Sequence, residues 1–180
     1  MNRRTLLTRL LAAAGALAMG PMLAGREARA ADDDGQGAHE FPPVNITREQ
    51  WQEILPADRY RILFREGTEP AGSSPLDKIY APGIYICAAC HLPLFASEDK
   101  FDSGTGWPSF TQPIEGRVGT KLDFKLILPR TEYHCIRCGG HQGHVFDDGP
   151  PPTGQRWCNN GLALRFVPEG EELPELRTSA

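Results

Sequence analysis

Five cysteines carry most of the chemistry open to this chain, and four of them stand in two pairs, Cys87-x-x-Cys90 and Cys135-x-x-Cys138. Two residues between cysteines let a tight turn aim both sulfurs at one ion. Four such thiolates are the ligand set of a tetrahedral structural zinc site, one per chain. Ala88-Ala89 and Ile136-Arg137 should occupy the turns, and the 44 residues between the pairs make the metal a staple between distant hairpins. Disulfides compete as a reading in an oxidising compartment. A CxxC disulfide closes a very small loop, however, and zinc is the favoured reading. The fifth cysteine, Cys158, has no such partner. A leftover cysteine is commonly a buried hydrophobe, but here Arg156 lies two residues before it and Asn160 two after. On a strand these residues share one face, and a nearby cation favours the reactive thiolate. Cys158 is therefore a candidate nucleophile. His141-x-x-His144-x-x-x-Asp148 adds imidazoles and a carboxylate, whether as a second metal site, a solvated hairpin or proton donors to thiol chemistry.

The elements that would position these groups are short. Of 180 residues, 19 are glycine and 16 proline, which argues against a long-helix bundle and for strands joined by turns. Thr47-Arg-Glu-Gln50 matches a capping box, and Trp51, Ile54 and Leu55 give the helix it opens an apolar face. A second helix over 57–66 places Tyr60, Leu63 and Phe64 on one side, with Gly67 as its stop. Residues 69–75 read as a loop. Strand-type segments follow at 83–87, 121–128, 132–135, 144–146 and 162–167, each bounded by Gly, Pro, Asn or Asp. Without βαβ alternation, the fold is expected to be mainly β: antiparallel sheets of short strands, small helices at the N-terminal side, stapled by the four-cysteine zinc site.

Around this domain, set at 46–168, the ends read differently. Arg3 and Arg4 precede an uncharged apolar stretch from Leu10 to Gly25, too short for a spanning helix of about 20 residues. Ala28-Arg29-Ala30 fits a cleavage site, so residues 1–30 are expected to be a signal peptide; an uncleaved anchor is the competing reading. Arg3-Arg4 with Leu6-Leu7 resembles a twin-arginine signal, which exports folded proteins and makes the periplasm the expected location. Residues 31–45 read as a flexible acidic leader and 169–180 as a charged tail without fixed structure. The whole chain has a net charge of −4, and losing five arginines and one glutamate with the signal makes it −8. That balance excludes nucleic acid and anionic lipid as partners. A monomer with no stable membrane anchor is expected.

From 47 to 166 the residues resemble one family, the B-type methionine sulfoxide reductases. The resemblance rests on Gly83-Ile-Tyr-x-Cys-x-x-Cys, Lys100-Phe-Asp-Ser-Gly-Thr-Gly-Trp-Pro-Ser-Phe110, Cys135-x-x-Cys138, His141-x-Gly-His-Val-Phe-Asp-Asp-Gly-Pro150 and Pro152-Thr-Gly-x-Arg-Trp-Cys-x-Asn160, in that order. It implies reduction of methionine-R-sulfoxide in oxidised proteins or peptides, with Cys158 attacking the sulfoxide sulfur and becoming a sulfenic acid. It assigns the acid positions to His144 and His141, orientation and polarisation of the site to Asn160 and Arg156, and the tuning carboxylate to Asp148. Trp107 takes the position that packs on the substrate methyl, and Phe110 is placed with it in the substrate-binding motif. Two departures stand out. Many members carry a resolving cysteine where this chain has Thr105, so the sulfenic acid must be reduced directly by an external thiol, a thioredoxin-like protein or a small thiol. Asn159 and Gly161 replace the usual apolar residue and serine. A non-catalytic zinc scaffold and a CxxC thiol–disulfide oxidoreductase remain the alternatives to this activity.

Overall fold

The computed structural model describes residues 41–125 and 128–180. The signal and residues 31–40 of the leader lie outside the described residues. Thr47 caps α1 (Arg48–Ile54) with the reciprocal pair anticipated: its Oγ1 accepts from the Gln50 amide and its own amide donates to Gln50 Oε1 at 2.8 Å. Trp51 and Leu55 turn inward, while Ile54 is exposed. α2 (Ala57–Arg65) buries Tyr60, Ile62 and Leu63, and Phe64 covers its edge by stacking on Trp51 at 5.3 Å. Glu66, one residue before the glycine expected to stop it, takes the left-handed cap. Among the described residues no helix is long and apolar enough to cross a membrane.

Among the described residues, nine strands form two antiparallel sheets. The first orders β2 (Pro93–Ala96), β1 (Gly83–Cys87) and β9 (Leu164–Pro168). The second runs β3 (Lys100–Phe101), β4 (Ser109–Phe110), β8 (Arg156–Asn159), β7 (His141–Phe146), β6 (Arg130–Cys135) and β5 (Val118–Asp123). Aromatic rings join the sheets. Phe95 and Tyr85 of the small sheet meet Phe110 of the large one, Phe95 stacked at 4.2 Å and Tyr85 edge-on at 5.0 Å. Tyr133 packs edge-on against Trp157 at 5.0 Å. Such pairs contribute about 0.5–1.5 kcal/mol beyond the area they bury.

The strand expected over 121–128 is displaced: it runs Val118–Asp123, and residues 126–127 of the expected span lie outside the described residues. β2, β3, β4 and β8 were not anticipated as strands. Two of them are only two residues long, and β2 opens on a proline, which an edge strand tolerates at its first position. The tail forms no helix or strand past Pro168, yet it is held in place. The Arg177 amide donates to the Cys90 carbonyl at 3.1 Å, Thr178 O accepts from the Asn45 amide at 2.9 Å, and Arg177 lies over Trp51. Phe41 and Val44, placed in the leader by sequence, pack on the same core.

Candidate active site

The two CxxC pairs fold into the same local shape. In each, the first cysteine's carbonyl accepts from the amide four residues on: His91 to Cys87 at 3.0 Å, Gly139 to Cys135 at 2.9 Å. That turn, at the ends of β1 and β6, brings all four sulfurs within 4.8 Å of one another. The closest approaches run between the pairs, Cys87–Cys138 at 3.7 Å and Cys90–Cys135 at 3.5 Å. A disulfide would need about 2.05 Å. A tetrahedral zinc with bonds of about 2.3 Å separates its sulfurs by about 3.8 Å, so the set fits that ion. The Gln142 amide also reaches the Cys87 sulfur, at 3.7 Å. Cys87, Cys90, Cys135 and Cys138 are thus positioned to bind a metal ion, and three of them are fully buried.

The fifth cysteine lies elsewhere, on β8 beside the Gln142 strand. Cys158 pairs with His144 on β7 and with Ser109 on β4, and His144 pairs in turn with Glu132 on β6 and Glu132 with Lys121 on β5. Directly opposed residues of antiparallel strands share a face. Lysine, carboxylate, imidazole and thiol therefore stand in one row across four strands. Gly143 lets β7 and β8 approach this closely, since a Cβ there would lie 1.8 Å from the Cys158 carbonyl oxygen. Cys158 opens on a cleft of about 120 Å³ bordered by Thr68, Trp107, Arg130, His144, Phe146 and Asn160. A larger groove of about 660 Å³ by Tyr80, Gly83 and Pro168 is lined by neither cysteine nor histidine.

Burial pushes the Cys158 thiol up, and the Arg156 guanidinium opposes this without reversing it. Arg156 is itself held by Asp148, with Nε donating at 2.8 Å and Nη2 at 3.0 Å, and it lies over the Phe146 ring at 4.3 Å. Asp148 thus acts through Arg156 and does not border the cleft. His144 shares a hydrogen bond of 2.8 Å between Nε2 and Asp123 Oδ2. The amide of Lys125 first, then His144 and Arg130, holds Asp123 well below the usual carboxylate range. An ionised Asp123 accepts a hydrogen bond from Nε2–H, which fixes the tautomer and leaves Nδ1 as an acceptor. Burial lowers the His144 pKa, so the ring is neutral at pH 7. His141 faces an adjoining basin of about 410 Å³ that meets the cleft at Thr68, Arg130 and His144. Its Nδ1 lies 2.7 Å from Glu132 Oε1, and its buried Nε2 has no hydrogen-bond partner among the described residues.

Asn160 borders the cleft with both ends of its amide engaged: Nδ2 donates to the Gln142 carbonyl at 2.9 Å and Oδ1 accepts from the Glu69 amide at 3.1 Å. Trp107 forms part of the wall, its Nε1 donating to the Glu69 carbonyl at 3.1 Å. Phe110 is a correction. It is fully buried between Phe95 and Tyr85, and it pairs with Trp157 on the core face of the sheet, so it belongs to the core and not to substrate binding. Asp123, Glu132 and Glu69 escaped the sequence reading, because each lies outside the segments that looked reactive. The spacing of Lys121 and Asp123, two apart on one strand, was the available signal for the first. Gly161 also finds a reason: a Cβ there would lie 1.9 Å from Ser74 Oγ.

A family model described as the SelR domain matches residues 55–168. The chain is 48% identical over 127 residues to the peptide methionine sulfoxide reductase MsrB of Leptospira interrogans, covering 70% of this chain and 97% of that one. It is 47% identical over 128 residues to MsrB of Agrobacterium fabrum, with 71% and 95% covered. Against the chloroplastic peptide methionine sulfoxide reductase B1 of Oryza sativa it is 49% identical over 124 residues, 68% of this chain, but it spans only 58% of that relative's length.

Proposed function

Because the chain belongs to the SelR family of B-type peptide methionine sulfoxide reductases, we propose that it reduces methionine-R-sulfoxide in proteins and peptides through Cys158. The observation that carries this reading is the lone thiol outside the four-sulfur cluster, opening on a cleft with an aromatic wall and a histidine as its cross-strand neighbour. The Cys158 sulfur attacks the sulfoxide sulfur, the S–O bond breaks, and the oxygen ends on Cys158 as a sulfenic acid. The thiol proton moves to the oxygen, with neutral His144 taking it first and delivering it. Arg156 stabilises the thiolate in between, and Trp107 supplies an apolar face for the S-methyl group. Methionine leaves. An external thiol then attacks the sulfenic sulfur and releases water, and a second thiol frees Cys158.

That direct recycling rests on Thr105 and on the commitment of the other four sulfurs to metal. Thr105 Oγ1 lies 2.8 Å from Ser103 Oγ, which in turn meets Ser109 Oγ at 2.8 Å, so hydroxyls occupy the position of a resolving thiol. One equivalent of an R-sulfoxide peptide, given without reductant, is expected to yield about one methionine per chain and one added oxygen on Cys158. A mass spectrum showing a disulfide from Cys158 to another cysteine would contradict it. The zinc has a structural role when bound, holding the ends of β1 and β6 together. The N-terminal residues support export by the twin-arginine route to the periplasm, and the amino terminus of the exported protein should read Ala31. The same reading takes the active unit to be a monomer, to be checked by sedimentation equilibrium.

A further inference from the structure

Glu69 is 2% exposed. A carboxylate is costly to bury unless hydrogen bonds replace its water. Here two amides do so: Gly161 N donates to Oε1 at 2.6 Å and Leu162 N to Oε2 at 2.9 Å. These amides open the short 3-10 turn Gly161–Ala163 that follows the Cys158 strand. The backbone of the same residue serves the cleft twice. Its carbonyl receives the Trp107 indole N–H at 3.1 Å, and its amide donates to Asn160 Oδ1 at 3.1 Å. Gly72 N, three residues on, donates to the Gly106 carbonyl at 2.7 Å, next to Trp107. Two walls of the cleft, from segments 38 and 91 residues away, therefore meet on one residue whose own side chain is anchored beside the nucleophile strand.

We propose that Glu69 is a positioning residue of this site: by clamping the amides of Gly161 and Leu162 it sets its backbone where that backbone orients the Trp107 indole and the Asn160 amide. The proposal rests on the methionine sulfoxide reading for its kinetic consequence, and it acts on substrate placement through Trp107. A hydrogen bond removed from a partly buried wall is worth about five- to tenfold in binding.

The test compares Glu69→Ala and Glu69→Gln, each in the unaltered chain and in Trp107→Phe, with N-acetylmethionine-R-sulfoxide and dithiothreitol. Glu69→Ala should raise KM about five- to tenfold with kcat changed less than about twofold, and the near-isosteric Glu69→Gln should fall between. In Trp107→Phe, which has no indole N–H to hold, Glu69→Ala should add less than about twofold, since coupled residues are not additive. A second readout needs no turnover: acrylamide quenching of the Trp107 emission, taken as the difference between chains with and without Trp107, should rise in both variants. Equal KM factors in the two backgrounds, or a fall in kcat at unchanged KM and quenching, would overturn the clamp. Should the unaltered chain fail to turn over, the functional reading falls, while the quenching result still decides the clamp. If Glu69→Ala does not fold, Glu69→Gln carries both readouts.

Discussion

A half-buried thiol beside a guanidinium is pulled in two directions, and at Cys158 burial outweighs Arg156. The sequence showed the cation two residues away but not the depth of the site, so only the lowering influence was legible. The same blindness to depth explains Phe110. It stands three residues from Trp107 in one motif, yet the two side chains do different jobs. Trp107 borders the cleft with its N–H on Glu69, and Phe110 fills the core between the sheets. Phe110→Ala is accordingly expected to cost about 3–5 kcal/mol of stability with KM for the sulfoxide little changed. Trp107→Ala should raise KM at least tenfold with a smaller loss of stability. Urea melts and steady-state kinetics on the pair separate the roles, and a KM effect confined to Phe110→Ala would reverse the assignment.

At the scale of elements, the row Lys121–Glu132–His144–Cys158 depends on the register of four strands. The CxxC pairs, the histidines and Cys158 were legible because their types and spacing are unusual. Glu132 and Asp123 were not, because what makes them matter is which strand lies beside them. β7 hid itself further, since its first residues, His141, Gln142 and Gly143, are buried without being apolar and break the two-residue alternation. The buried pairing has a consequence in acid. Burial alone would raise the Glu132 pKa, but hydrogen bonds with His134 and His141 and the Lys121 charge hold it at about 2. A carboxylate lowered on folding stabilises the protein above its ordinary pKa, and that share is lost as pH falls from about 4.5 through 2. The share that Glu132 contributes to the melting temperature should therefore change little from pH 7 to 5 and drop below 4.5, beyond the earlier loss that the lowered His144 brings as pH falls through about 6.5. Glu132→Gln is expected to flatten part of that drop; an unchanged acid slope would show that the pair contributes nothing.

Across the whole molecule, the two sheets and the four-sulfur cluster divide the work. The aromatic contacts among Phe95, Tyr85, Phe110 and Tyr133 hold sheet to sheet. The cysteine cluster ties the ends of β1 and β6, and through Gln142 it touches the strand that faces Cys158. Gln142 donates to the Cys87 sulfur while its carbonyl receives both the backbone and side-chain N–H groups of Asn160, each at 2.9 Å. The tail crosses the same knuckle, where Arg137 Nη1 bridges the Cys90 and Arg177 carbonyls at 3.1 and 2.9 Å. Composition alone made that tail look free, since hydrogen bonds that hold it run between backbone carbonyls and amides or from Arg137 to a carbonyl, and carry no signature in the tail's own residues. The fold class and the metal cluster were legible in advance, and the anchoring of the ends was not. All of this serves one claim, that the thiol left outside the cluster takes the oxygen from one epimer of an oxidised methionine. The most direct measurement follows both epimers of a racemic methionine sulfoxide peptide, with dithiothreitol, on the zinc-loaded chain and on Cys158→Ser. Loss of the R epimer alone by the first protein, and of neither by the second, is the predicted result; consumption of the S epimer, or undiminished turnover without Cys158, would contradict it.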